Sequence, residues 1–174
     1  SSAARGAPSG APPPSPSSAL LQPLNALVRG TQTARSLWRE ITKVSSMKGY
    51  SKVRWWSRWE MMKQLADNFD DLMTFVEKLN ELGIGDATTQ AMLKVMRTKP
   101  QQLRLELALA MDVEILCTTT YKLEGDGLEI LLVYEALESI RERGRTMGKE
   151  ASHLPNVSAL LREQTQIVVG TKTN

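Results

Sequence analysis

The run VRWWSRW concentrates aromatic area and positive charge, because it holds three of the chain's four tryptophans beside two arginines. On a helix, Trp55 and Trp59 share a face, whereas Trp56 lies about 100° away. Arg54 and Arg58 are four residues apart and also share a face. This pattern allows two interpretations. In the first, Trp55 and Trp59 are core anchors with the arginine stems packed over them. In the second, an exposed indole stacks on an unpaired base while an arginine binds the adjacent phosphate.

The other side chains that could do chemistry form no catalytic constellation. His153 is the only histidine and has no second metal-type residue at ligand spacing, which favours a loop histidine. Glu124 and Asp126 lie in EGDG, which is shorter than a calcium loop of about twelve residues and is more typical of a turn. Asp70 and Asp71 are adjacent, so their side chains diverge on a helix. We therefore expect no enzyme activity, no metal site and no cofactor.

The 174 residues suit one domain plus a tail, and the net charge of +3 is unevenly distributed. Between positions 35 and 63 there are eight basic and two acidic residues, and between positions 64 and 83 there are five acidic residues and one basic residue. This predicts a polarised surface with the tryptophan run in its basic part. The basic residues are Arg35, Arg39, Lys43, Lys48, Lys52, Arg54, Arg58 and Lys63.

The single cysteine, Cys117, lies in an apolar run and has no partner for an internal disulfide. It is expected to be a small buried hydrophobe in a protein of a reducing, intracellular compartment. No apolar run approaches the roughly 18 residues that span a bilayer, and the first residues have no signal-peptide pattern. We expect no membrane partner.

Residues 1–19 are rich in Ser, Ala, Pro and Gly and contain few side chains to bury, so we expect a disordered, partly polyproline-II leader. Its PPPSP run suits a linker or a ligand of a proline-binding module, and the composition favours the linker. Residues 20–170 are expected to form one helical domain, followed by a flexible tail at 171–174.

Apolar residues at spacings of three and four predict an all-α, irregular bundle of about seven helices. The first helix is expected to end at Gly30, and Thr33 is expected to cap the second. One long helix is predicted from Trp55 through Val76, ended by Gly83 and Gly85. Three features are predicted after it: a helix capped by Asp86, a turn at EGDG with a helix from Leu128, and a last helix from Pro155.

The run from Leu103 to Ile115 is ambiguous by pattern alone. Its apolar residues alternate strictly, as in a half-buried strand, but Leu, Ala, Met, Glu, Gln and Arg dominate and favour a helix. Pro100 also suits the first turn of a helix. We predict a deeply buried helix here.

Two runs, KGYSKVRWWSRWEMMKQL and TTTYKLEGDGLEILLVYE, resemble the region that follows the second catalytic aspartate in hAT-superfamily DNA transposases. The resemblance extends roughly from Leu24 to Asn156. It implies a large helical domain that these enzymes insert into a ribonuclease H-like core. It also implies that Arg54 and Trp55 match an arginine–tryptophan pair in which the tryptophan stacks on a flipped base, with Trp56 and Trp59 as packing partners.

The chain also departs from that family. Val53 stands where the family has Thr, the upstream cysteine–histidine motif is missing, and the first two catalytic aspartates have no matching positions. The third carboxylate would follow the insertion, and the end of the chain lacks the family's apolar dimerisation pattern. Without three carboxylates, two catalytic metal ions cannot be held, so no nuclease or strand-transfer activity is expected.

We therefore expect a non-catalytic helical domain with weak affinity for single-stranded or hairpin-ended DNA, located in the nucleus. The contacts would come from Arg54, Trp55, Arg58, Lys52, Lys48, Lys43, Arg39 and Arg35. The alternative is a protein-interaction module, or a relic without DNA binding, with an exposed apolar patch in the region from Leu24 to Ile41. Convergence of the basic residues on one face would favour DNA.

Overall fold

The computed structural model describes residues 15–51, 54–123, 133–147 and 154–170, and these residues form nine α-helices and no strand. The predicted all-α fold class is confirmed. The helices are α1 Pro16–Gly30, α2 Gln32–Thr42, α3 Trp55–Asp67, α4 Phe69–Glu81, α5 Asp86–Thr98, α6 Pro100–Asp112, α7 Glu114–Leu123, α8 Val133–Met147 and α9 Pro155–Gly170.

Two predicted helices are each divided, which raises the number from about seven to nine within the described residues. The long run beginning at Trp55 breaks at Asn68, which has φ −123° and ψ 32° and separates α3 from α4. The run from Pro100 breaks at Val113 between α6 and α7. In both places the apolar spacing continues across the break, so the pattern alone could not show it.

The predicted leader ends too late, because α1 already begins at Pro16. Ser15 is its N-cap and accepts a hydrogen bond from the backbone N–H of Ser18, while Pro16 suits the first helical turn. The predicted end at Gly30 is confirmed. Thr33 does not cap α2, since Thr31 is the N-cap and Thr33 lies inside the helix.

The turn between α4 and α5 depends on two glycines with positive φ, Gly83 at 65° and Gly85 at 69°. Gly85, not Asp86, is the N-cap of α5. The positive φ of Gly85 favours glycine, and a Cβ there would also force the Leu27 side chain, whose Cδ2 would lie at 2.5 Å, to shift. The EGDG turn, Leu128, His153 and residues 171–174 lie outside the described residues.

The core forms around α1, which packs against α2, α3, α5 and α6. Leu20, Leu21 and Leu24 on α1 are fully buried, as is Trp38 on α2, whose ring meets that of Phe75 edge-on at 5.2 Å. The apolar patch predicted between Leu24 and Ile41 is therefore absent, because this segment packs into the core. No helix of the described residues is long and apolar enough to cross a bilayer.

Candidate nucleic-acid interface

The start of α3 is held in place by hydrogen bonds that involve the hydroxyl groups of Ser51 and Ser57. Ser57 Oγ donates to the carbonyl oxygen of Arg54 at 2.8 Å and accepts from the backbone N–H of Ser51 at 3.0 Å. Arg54 is the N-cap, and the first turn of α3 contains no acidic residue. Arg54 and Trp55 are therefore fixed at the end of the helix where the backbone dipoles favour an anion.

The three clustered tryptophans have three different environments. Trp55 is 45% exposed, Trp56 is half-buried and Trp59 is 6% exposed. Trp56 lies between Trp59, with ring centroids 4.9 Å apart, and Tyr121 of α7, with centroids 4.4 Å apart and planes only 18° apart. Trp56 and Trp59 therefore pack together, and Trp55 is left outside the stack.

The core-anchor interpretation is thus wrong for Trp55 and confirmed for Trp59. Both lie on one face of α3, but Trp55 is its first residue. Helical side chains tilt toward the N-terminus, so the first side chain points past the end of the helix and away from the neighbours that bury the next turn. The two tryptophans differ in burial because they differ in their distance from the start of the helix, which the spacing of apolar residues does not reveal.

The two arginines of α2 and its C-cap residue Lys43 point outward at four-residue intervals, and each also bonds to a backbone carbonyl. Arg35 Nη1 donates to the carbonyl oxygen of Arg29 at 3.1 Å, and Arg39 Nε donates to that of Ser45 at 2.6 Å. Lys43 Nζ donates to a carbonyl three residues earlier, at 2.6 Å. These bonds satisfy carbonyls near the ends of helices, so the three side chains have a structural role while their charges stay exposed.

Lys48 and Arg58 follow one face of α1. Arg58 Nη2 donates to Ser18 Oγ at 2.9 Å, and the carbonyl oxygen of Lys48 accepts from Asn25 Nδ2 at 3.1 Å. Ser18 and Asn25 are seven residues apart and so share a face. The ammonium group of Lys48, however, is paired with Glu60 at 3.2 Å, which reduces what it can offer to a phosphate.

Arg29 extends this face and was not among the predicted residues. It lies four residues beyond Asn25, and its guanidinium lies against Gly49. From Ser18 to Arg29 the row covers about 17 Å at 1.5 Å per residue. Arg29 lies in the last turn of α1, where a basic residue is common. It precedes the basic block that begins at Arg35 and was therefore missed. Lys52 lies outside the described residues, and Lys63 pairs with Asp67 at 3.6 Å.

An apolar groove of about 520 Å³ adjoins Trp55. Its walls are α3 and α6, and the start of α1 lies at one end. Trp59, Met62, Leu109 and Val113 line it together with Trp55. Leu109 is 45% exposed, which corrects the prediction of a deeply buried helix for this run. The alternating leucines of α6 lie on two faces: Leu103 and Leu107 are buried in the core, whereas Leu105 and Leu109 are exposed, and Leu109 lines the groove.

The remaining candidates lie apart from this region. Cys117 is fully buried, as predicted, and burial raises the pKa of its thiol to about 11, which keeps it protonated. Asp70 is exposed and lies 3.5 Å from Arg104 Nη2, and Asp71 is exposed as well. In the described part of the chain, no three acidic, histidine or cysteine side chains are grouped so that they could hold a metal ion.

No family model matches this chain, and neither a curated protein nor a solved structure matches it.

Proposed function

We propose that this chain is a non-catalytic, transposon-derived helical domain, similar to the insertion region of hAT-superfamily transposases, that binds DNA weakly. The interface would be the basic, tryptophan-bearing start of α3. A nuclear location follows from this proposal, because the ligand is chromosomal DNA.

The exposure of Trp55 is the observation that carries the proposal. Nearly half of this side chain faces solvent, although an indole of this size gains free energy from burial. An exposed indole face can stack on an unpaired base, a contact that contributes about 1–3 kcal/mol per base and tolerates any sequence. Hairpin ends and single strands supply unpaired bases, whereas intact duplex does not.

The charges beside Trp55 suit a phosphate backbone. Arg54 and Arg58 are both exposed, and the Arg54 guanidinium makes no hydrogen bond within the described part of the chain. Arg29 and Lys48 continue the positive row along α1. With three or four phosphates neutralised, log K for single strands is expected to fall with log salt at a slope of about −2 to −3. Affinity is therefore expected to fall as the salt concentration rises toward the physiological range.

The test is affinity measured against salt for single-stranded, hairpin-ended and blunt duplex oligonucleotides. Trp55→Ala is expected to lose roughly five- to a hundred-fold for ligands with unpaired bases, as one stacked base predicts. Arg54→Ala is expected to weaken binding to all three ligands and to reduce the slope by about 0.7–0.9.

Matched controls are Tyr134→Ala, another exposed aromatic residue, and Arg162→Ala, an exposed arginine of α9. Neither is expected to change affinity by more than the error. The proposal fails if the wild-type chain binds without salt dependence, or if Trp55→Ala weakens duplex and single-strand binding equally.

The groove beside Trp55 favours a second candidate, a protein-interaction module. Trp55 and Leu109 are large apolar side chains exposed on its two sides. Exposed apolar patches with polar rims are typical of binding sites for peptides and proteins. Under this alternative, Leu109→Ala weakens the binding of a protein partner and leaves the affinity for DNA unchanged.

A further inference from the structure

The groove between α3 and α6 is apolar and open along its length among the described residues. Its α3 wall extends from Trp55 to Met62, which is seven residue steps or about 10 Å of helix. Trp55 and Leu109 are each 45% exposed at its edges. Covering both side chains would remove apolar surface from water, which is favourable. The surface is thus suited to a narrow, extended, apolar occupant.

The chain enters the described structure at one end of this groove. Ser15 and Ser17 line it, and two contacts fix the first turn of α1 there. Glu106 Oε2 on α6 accepts from the backbone N–H of Ser17 at 2.9 Å, and Arg58 Nη2 on α3 donates to Ser18 Oγ at 2.9 Å. The start of α1 is therefore tied to both walls of the groove.

Ser15 already has the backbone conformation of an extended left-handed helix, with φ −62° and ψ 152°. The four residues before it are Ala11, Pro12, Pro13 and Pro14. Proline fixes its own φ and restricts the residue before it to extended conformations. Four residues of polyproline II cover about 12 Å, close to the length of the α3 wall.

We propose that residues 11–14 dock in this groove of their own chain, as a polyproline-II segment packed against Trp55. Proline-rich segments bind aromatic-lined grooves because they are already extended and lose little entropy on binding. Residues 6–14 carry no charge, so docking would bury no ionised group. The docking does not depend on DNA affinity.

A tethered occupant has an advantage over a free one. Direct connection through Ser15 gives the segment an effective concentration of the order of millimolar or more. A second copy of the chain, or an unrelated peptide, must compete with it. Docking would also place the segment against one face of Trp55.

The test is an NMR comparison of the full-length chain with the variant Pro12→Ala, Pro13→Ala, Pro14→Ala, without DNA. Trp55→Phe assigns the indole N–H signal of Trp55. The triple substitution is expected to shift this signal and to leave that of the buried Trp38 in place. The control variant Pro8→Ala, Ser9→Ala, Gly10→Ala changes as many residues one step farther from the groove and is expected to shift neither signal.

The second arm of the test changes the groove and observes the segment. Leu109→Ala is expected to move the backbone N–H signal of Ala11 toward its random-coil position. Leu82→Ala, at an exposed leucine of the α4–α5 turn, is the matched control and leaves that signal unchanged. A random-coil Ala11 signal in the wild-type chain overturns the proposal. The proposal is also overturned if the Trp55 signal does not shift in the triple variant but shifts with protein concentration. That result would assign the groove to a second copy of the chain.

Discussion

The indole Nε1 of Trp59 donates a 2.8 Å hydrogen bond to the carbonyl oxygen of Ala110. This carbonyl is among the last four of α6, which have no acceptor role inside their own helix. The bond therefore fastens α3 to the end of α6 and satisfies a group that would otherwise be buried without a partner. The indole of Trp55, one turn earlier, makes no such bond to any residue that the structure describes.

We expect Trp59→Phe to reduce the free energy of unfolding by about 2–3 kcal/mol. The substitution deletes the donor, leaves the Ala110 carbonyl unsatisfied and removes part of a buried ring. Trp55→Phe is the matched control and is expected to change stability by less than about 0.5 kcal/mol. Urea unfolding followed by far-UV circular dichroism measures both, and equal losses would contradict the distinction between the two residues.

A second prediction concerns the neutralising pair beside the proposed interface. Glu60 lies 3.2 Å from the ammonium group of Lys48, so Glu60→Gln would release this charge for a phosphate. If the DNA proposal is right, affinity for single strands increases a few-fold and the salt slope steepens by up to about 0.7. The effect should vanish at high salt, because the interaction is screened.

The matched control for this prediction is Glu81→Gln, which frees Lys78 from a 2.7 Å pair at the end of α4. Both substitutions change the net charge equally. If both variants gain the same affinity for single strands, only the net charge of the chain matters. The basic row along α1 would then have no specific role in DNA binding.

Some of this architecture was readable from the sequence and some was not. Helix type followed from spacing and composition, and even the alternating leucines of α6 were assigned to a helix. The exposure of Trp55 was not readable, because Trp55 and Trp59 occupy the same stripe and differ only in their distance from the end of the helix. The break at Asn68 was hidden for a similar reason, since the apolar stripe continues on both sides of it.

The basic residues illustrate another limit. The number of basic residues indicates the block that begins at Arg35, but it does not show which of these residues are paired with carboxylates. Arg29, outside that block, extends the row along α1, whereas Lys48 inside it is paired with Glu60 and Lys63 with Asp67. Contacts between residues far apart in the chain decide which charges are available, and spacing carries little information about them.

A third prediction concerns the attachment of α9. The buried carboxylate of Asp112 accepts from the backbone N–H groups of Asn156 and Val157, at 2.9 and 3.0 Å, and from Asn156 Nδ2 at 2.7 Å. Asp112 thus caps α9 from the end of α6, and its charge suits the start of a helix. We expect Asp112→Ala to destabilise this attachment by about 1–2 kcal/mol.

Hydrogen exchange measures that loss locally. Backbone amides in the first turns of α9 are expected to exchange roughly five- to thirty-fold faster in Asp112→Ala, while those of α1 and α4 change much less. Asp71→Ala, at an exposed carboxylate of α4, is the control and leaves α9 unchanged. Uniform acceleration in all helices would show that Asp112 supports the whole fold instead of one helix.

The last prediction follows from the burial of Cys117, which raises the pKa of its thiol from 9.0 to about 11. Because the folded-state pKa is the higher one, the contribution of the neutral thiol to stability is fully present below pH 9 and is lost as the pH rises from 9 to 11. Cys117→Ala has no thiol at this position and therefore lacks this loss. The wild-type chain should therefore lose more stability than Cys117→Ala between pH 8 and pH 10.5, as measured by urea unfolding.

Alkylation by iodoacetamide at pH 8 should be slow in the folded chain and fast in urea, since the reagent needs an accessible thiolate. Fast alkylation of the folded chain, or equal pH dependence of the two proteins, would place Cys117 nearer to solvent than the packing around Trp59 and Ala110 indicates.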